Sequence, residues 1–179
     1  MKPSTHPHRQ HGFTLLELTI ALVLLGILAT VGATMIANSY SAARIIDIQQ
    51  DSNAAARYAM LRMVREIQEI QYNTSTGNVS LTTMSGNQVA FTKTGIGATP
   101  TTNVTLQYNS GSQTLSLTYP SGTSTLATQV SNLGFTYLDA NAAVTATANA
   151  VRYVGITLTL SPAGAQAITL NNLVALRNV

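Results

Sequence analysis

The 179-residue chain reads as an α+β protein, with one long N-terminal helix packed on an antiparallel β-sheet domain. Three observations carry that expectation. Residues 13–43 are apolar apart from a few hydroxyl and amide groups and a single charge, Glu17. No Pro or Gly interrupts residues 41–72. Beyond residue 77 the apolar spacing changes from helical to alternating, with turn residues between short runs.

Residues 1–12 come first. They hold Lys2, Arg9, three histidines (His6, His8, His11), two prolines and no acid. A positive flank before an apolar segment predicts that this end stays cytoplasmic and the distal end faces outward. The apolar run of residues 13–39 follows. It is about 27 residues long, or about 40 Å as a helix. That exceeds a hydrocarbon core of about 30 Å, so the run can span a membrane with tilt. Gly26 and Gly32 are small positions where helices can approach closely. An acid near the end of such a run is costly unless it reaches the headgroups or finds a partner.

The residues around that acid carry a family resemblance. Gly12-Phe13-Thr14-Leu15-Leu16-Glu17, followed by about twenty apolar residues, resembles the processing site of type IV prepilins and type II secretion pseudopilins. The resemblance runs from Gly12 to about Thr34. It implies a pilin-like fold, cleavage by prepilin peptidase between Gly12 and Phe13, and N-methylation of Phe13. It also implies that Glu17 attracts the Phe13 amine of a neighbouring subunit during assembly. An opposite charge at close range in a low-dielectric setting is strongly favourable, and an unpaired carboxylate is penalised. A secretory signal would instead be cut at small residues after the apolar core, where Ala29 and Ala33 lie, but an acid inside the run argues against that. Thr34 stands where many members of the family carry a helix-breaking Pro. The three histidines fall in the discarded leader, so no metal site is expected from them.

Residues 40–72 continue the helix in amphipathic form, giving about 60 helical residues in all. Met60, Leu61, Val64 and Ile67 form one apolar face, with Arg57, Arg62, Arg65, Glu66 and Glu69 on the other. Arg62 and Glu66 lie one turn apart, at ion-pairing distance. Residues 56–67 resemble the helix end of W-type minor pilins and J-type pseudopilins.

Residues 73–179 form the β-rich head. Candidate strands are 79–84, 88–92, 104–108, 114–119, 134–138, 151–160 and 167–176. The turn residues 85–87 and 109–112 predict two hairpins. Val104, Leu106 and Tyr108 alternate, as do Leu115, Leu117 and Tyr119, so the sheet has one buried face, which the stripe through Met60 and Ile67 would cover. Stretches 94–103 and 120–128 read as surface loops. Asp139-Ala140-Asn141 reads as a turn between residues 138 and 144, since no downstream Glu completes a calcium loop. The segment 173–178 reads either as an edge strand ending in a basic residue or as the closing strand of W- and J-type chains, which often ends in Arg-Asn.

The chemistry excludes more than it names. The chain has no Cys and its three His lie in the leader, so Ser-His and Cys-His pairs are unavailable after processing. Five of the six acids fall on the helix and one in a turn; no enzyme and no cofactor is expected. Removing Lys2 and Arg9 leaves seven Lys and Arg against six acids, which gives no electrostatic case for nucleic acid. The expected role is structural: a minor pilin or pseudopilin in a type IV pilus or type II secretion-like filament. The bacterial inner membrane would hold it before assembly. Its partners would be prepilin peptidase, other pilin subunits, the inner-membrane assembly platform and membrane lipid. A major pilus subunit and a membrane-anchored periplasmic adhesin or assembly factor that never polymerises are the alternatives.

Overall fold

The computed structural model describes residues 13–73, 77–93 and 102–177. The leader with Gly12, most of the 94–103 stretch and Asn178 lie outside the described residues. The chain falls into two compact units, one through Arg44 and one from Ile45 onward. A single helix, α1 (Leu15–Gln68, 54 residues), contributes to both.

In the first unit, α1 starts at a capping arrangement. The Glu17 backbone N–H donates to Thr14 Oγ1 at 3.3 Å, and the Leu18 N–H donates to the Thr14 carbonyl at 3.1 Å. Thr14 is thus the cap, with Glu17 three residues on. Leu, Ile and Ala then sustain the helix, with a mean hydropathy of 2.4 over its most apolar window. The few hydroxyls within it are satisfied internally. Thr19, Thr30 and Thr34 donate to the carbonyls of Leu16, Ile27 and Val31 at 2.8 Å, and Ser39 donates to Met35 at 2.9 Å. Such back-bonding lets a polar residue sit in a lipid-length helix without an orphaned donor. Thr34 passes through the helix unbroken, as a residue with a backbone N–H allows.

In the second unit, the last part of α1 buries Ala56, Ala59, Met60, Met63 and Ile67. The helix is therefore amphipathic where expected, but its buried stripe is rotated from the one read off the sequence. Leu61 is 66% exposed, whereas Glu66 is buried at 1%. The helix ends at Gln68, four residues short of the expected 72. Its last turn tightens as the Ile70 N–H reaches the Ile67 carbonyl, and Ile70 then bridges to Lys93 in the sheet.

Two short strands, β1 (Tyr72–Asn73) and β2 (Asn78–Val79), form a ribbon. A five-stranded antiparallel meander follows: β3 (Leu81–Met84), β4 (Gln88–Lys93), β5 (Thr102–Asn109), β6 (Thr114–Tyr119) and β7 (Gly122–Ala127). A second sheet holds β8 (Val130–Leu138), β9 (Tyr153–Leu160) and β10 (Ile168–Ala175), in the order β10-β9-β8. The expected β-domain is thus split between two main sheets. Both expected hairpins form. Ser85 closes one by accepting from the Gln88 N–H at 3.0 Å, and Asn109 Oδ1 closes the other by accepting from Gly111 at 2.9 Å.

Several strands differ from expectation: the expected strand 79–84 is broken at Ser80 into β2 and β3, and β5 begins at Thr102, inside the stretch expected as a loop. Residues 120–128 were expected as a loop, but only Pro120 and Ser121 turn the chain; Tyr119 pairs with Gly122 and β7 runs back along β6. Gly122 sits at φ 147°, where a Cβ would be strained. Strand β8 begins at Val130 rather than 134, and β9 begins at Tyr153 rather than 151, after a short 3-10 turn at Ala148–Ala150. Asp139 is in a turn, as expected. Its carboxylate accepts the N–H groups of Asn141 and Ala143 at 2.8 and 3.0 Å, while Leu138 bridges to Val144.

Cross-strand pairs build the core. Val89 pairs with Leu106 and Leu106 with Leu117, while Phe91 pairs with Val104. From the second sheet, Phe135 pairs with Ile156 and Leu133 with Leu158. These residues and the buried stripe of α1 share one hydrophobic cluster. Burying each such side chain contributes about 1.5–3 kcal/mol.

Candidate assembly site

The candidate site in the first unit is the start of α1. Phe13 is 84% exposed and Glu17 is exposed. Thr14 fixes where the helix begins, and that places Glu17 in its first turn. A carboxylate there is favoured by the positive end of the helix dipole. The Glu17 side chain has no ion-pair partner among the described residues. Leu15, Leu16, Leu18, Ile20, Leu22 and Val23 are all exposed around the helix. A helix apolar on every side, with one unpaired acid at its capped end, is built to be covered by lipid or by other helices. The structure thus contributes Thr14, which sequence reasoning passed over. Its signal was the Thr-x-x-Glu spacing of residues 14–17, a capping box just ahead of an apolar run.

A second polar site lies where α1 meets the five-stranded sheet. Arg62 Nη2 stands 2.9 Å from Glu66 Oε1, so the expected pair forms. Lys93 Nζ, at the end of β4, lies 3.1 Å from Glu66 Oε2 and 3.1 Å from Glu69 Oε2. The Arg62 guanidinium also donates to the Tyr119 hydroxyl at 3.1 Å, and Lys93 sits 5.2 Å from the centre of the Tyr119 ring. Two acids and two cations thus neutralise one another, and no buried side-chain polar atom among the described residues lacks a hydrogen bond. Burial pulls the Lys93 pKa down, but hydrogen bonds to Glu69 and Glu66 outweigh it and the net shift is upward. Burial, then Glu66, push the Tyr119 phenol up. This cluster fixes the rotation of the helix on the sheet. Placing Glu66 on the outer face missed it, because nothing local to the helix marks Lys93 as its partner.

Among the described residues no three metal-ligating side chains come together. Tyr137 is buried; its hydroxyl donates to the carbonyls of Ser85 and Gln88 at 3.2 and 3.4 Å, locking the β3–β4 turn against β8. Burial holds that phenol protonated by pushing its pKa well up, against the opposing pull of the Ser85 bond.

Residues 7–33 match the family described as the prokaryotic N-terminal methylation motif. The match covers the second half of the leader, the capped start of α1 and most of the apolar run. No curated protein matches the chain.

Proposed function

We propose, from the prepilin-type methylation motif that the chain carries on a long apolar N-terminal helix, that the protein is a structural subunit of a type IV pilus or type II secretion-like filament, as a minor pilin or pseudopilin. The motif at residues 7–33 is the observation that carries this reading. In it, prepilin peptidase cuts between Gly12 and Phe13 and the new amine on Phe13 is methylated. Before assembly the apolar part of α1 anchors the chain in the bacterial inner membrane, with the leader cytoplasmic. On assembly the helix leaves lipid for other pilin helices, at the inner-membrane assembly platform. There Glu17 attracts the Phe13 amine of a neighbour. Cutting the leader creates that amine, so proteolysis and assembly are coupled.

The unpaired Glu17 carboxylate and the exposed apolar helix support this reading. The proposed domain limits are 1–12 for the leader, 13–39 for the anchor, 40–72 for the amphipathic continuation, whose helix itself ends at Gln68, and 73–179 for the head.

The experiment is charge reversal at the acid. Glu17→Lys is expected to insert in the membrane and to be cut normally, yet to fail to enter filaments. Normal incorporation of that variant would remove the ion pair from the account. Copy number in purified filaments, by quantitative mass spectrometry, separates the minor from the major subunit. Its absence from filaments would favour the anchored, non-polymerising alternative.

A further inference from the structure

The outer face of the second sheet carries two glycines that the fold does not explain. Gly134 on β8 and Gly155 on β9 lie mid-strand, away from the bulge between Val130 and Asn132 and outside the left-handed backbone region. A Cβ at Gly155 would stand 3.5 Å from the Thr136 Cβ, and one at Gly134 would stand 3.8 Å from the Thr157 Cβ. Both are ordinary contact distances, so alanine would fit at either position and would strengthen the strand. A strand glycine with no bulge, bend or packing need marks a place where something else approaches the backbone closely. The register sets the two side by side. Thr136, Gly155 and Leu173 form one row across the sheet, and Gly134, Thr157 and Asn171 form the next. A depression of about 340 Å³ lies on these rows, over Gly155, Thr157 and Asn171. At Thr136 it meets a second one, of about 330 Å³, that reaches Thr145 and Val144. Leu173 and Val144, 58% and 77% exposed, stand at the two ends of this trough.

We propose that this trough binds a neutral oligosaccharide, with one sugar ring seated over Gly155. Charge selects the class of ligand. No charged residue occurs in β8, β9 or β10. Asp139 and Arg152, which border β8 and β9, are engaged: the carboxylate accepts two backbone N–H groups, and the guanidinium donates to the carbonyls of Asn149 and Val151. The groups that face outward are hydroxyls and amides, which donate and accept as sugar hydroxyls do. Thr157 donates to Asn171 Oδ1 at 2.8 Å, which leaves the Asn171 NH2 without a partner among the described residues. The backbone of β9 is paired on both sides, by β8 and β10, so a peptide laid across this face would find no ladder to join. Neighbouring strands lie about 4.8 Å apart, close to the length of one pyranose unit, so about three units span the trough from Leu173 to Val144. Their C–H faces would rest on Leu173, Val144 and Tyr153, which lies two residues from Gly155 on the same face. The site goes beyond the filament-subunit reading and stands whether or not the chain enters filaments.

The test applies the full-length chain, in a detergent without a sugar headgroup, to an array of neutral oligosaccharides and their sialylated and sulfated counterparts. Retention on neutral members is expected, with little change as ionic strength rises, because no charge takes part. Gly155→Ala should weaken retention about tenfold, because the added methyl group occupies the trough. The same variant should leave the unfolding midpoint unchanged or raised. Asn171→Ala should weaken retention to a similar degree by removing a hydrogen-bonding amide. Retention of no neutral oligosaccharide, retention of charged members alone, or undiminished retention by either variant overturns the proposal. So does a lowered unfolding midpoint for Gly155→Ala, which would show that the fold itself needs the glycine. A polypeptide captured by a photo-cross-linker at position 171 in cells, with no glycan retained on the array, would assign the face to a protein partner instead.

Discussion

Glu66 shows what one residue can decide. It is buried at 1%, within 3.1 Å of cations on its own helix and on β4. Removing one partner of a buried ion pair leaves the others uncompensated and costs about 3–5 kcal/mol. Glu66→Ala is therefore expected to destabilise the fold by about that amount in denaturant unfolding of the detergent-solubilised chain; a loss below about 1 kcal/mol would show that the cluster is dispensable. The same cluster sets an alkaline limit. Lys93 and Tyr119 both have folded pKa values raised above their ordinary 10.5 and 10.0. A raised folded pKa contributes stability that is complete below the unfolded value and lost as pH climbs through the folded one. The melting temperature should thus hold steady up to about pH 9 and fall above about pH 10. A melting temperature unchanged through pH 11 would contradict that assignment. The burial of Glu66 was misread from sequence because its second partner, Lys93, lies 27 residues away on a strand, whereas the place of Glu17 in the first turn of α1 was legible from its immediate neighbours.

At the scale of elements, periodicity was a good guide and composition a poor one. The alternation of Val104, Leu106 and Tyr108 located β5, and the unbroken stretch before residue 72 located α1. Strand β7 was hidden because Gly122-Thr123-Ser124-Thr125 looks like a loop, and all four residues are exposed. What holds it is backbone pairing to β6 and a side-chain bond between Thr118 and Thr123 at 2.9 Å. Hydrogen exchange checks this directly. The amides of 122–127 that face β6 should be protected well beyond those of an open loop, and prompt exchange across the segment would return it to a loop. The rotated helix stripe has a similar cause: Leu61 is as apolar as Met63, and only the position of the sheet decides which is buried. Met63→Ala should cost about 2–5 kcal/mol, because it leaves a cavity, whereas Leu61→Ala should cost little in the unassembled chain. Equal costs in the same unfolding assay would overturn the observed rotation.

For the whole molecule, one helix serves two surroundings. Its first part is apolar on all sides, with an acid at a capped end that has no ion-pair partner among the described residues; its second part closes a β-rich core and keeps Asp47, Asp51, Arg57 and Arg65 exposed. In the proposed function the methylation motif at residues 7–33 ties these halves to assembly, because processing would create the amine for which Glu17 is the proposed partner. The central claim is tested most directly by the intact mass of the chain recovered from filaments. The account predicts a chain that begins at Phe13 and carries one added methyl group on its amine. Recovery of the chain with residues 1–12 still attached would contradict it.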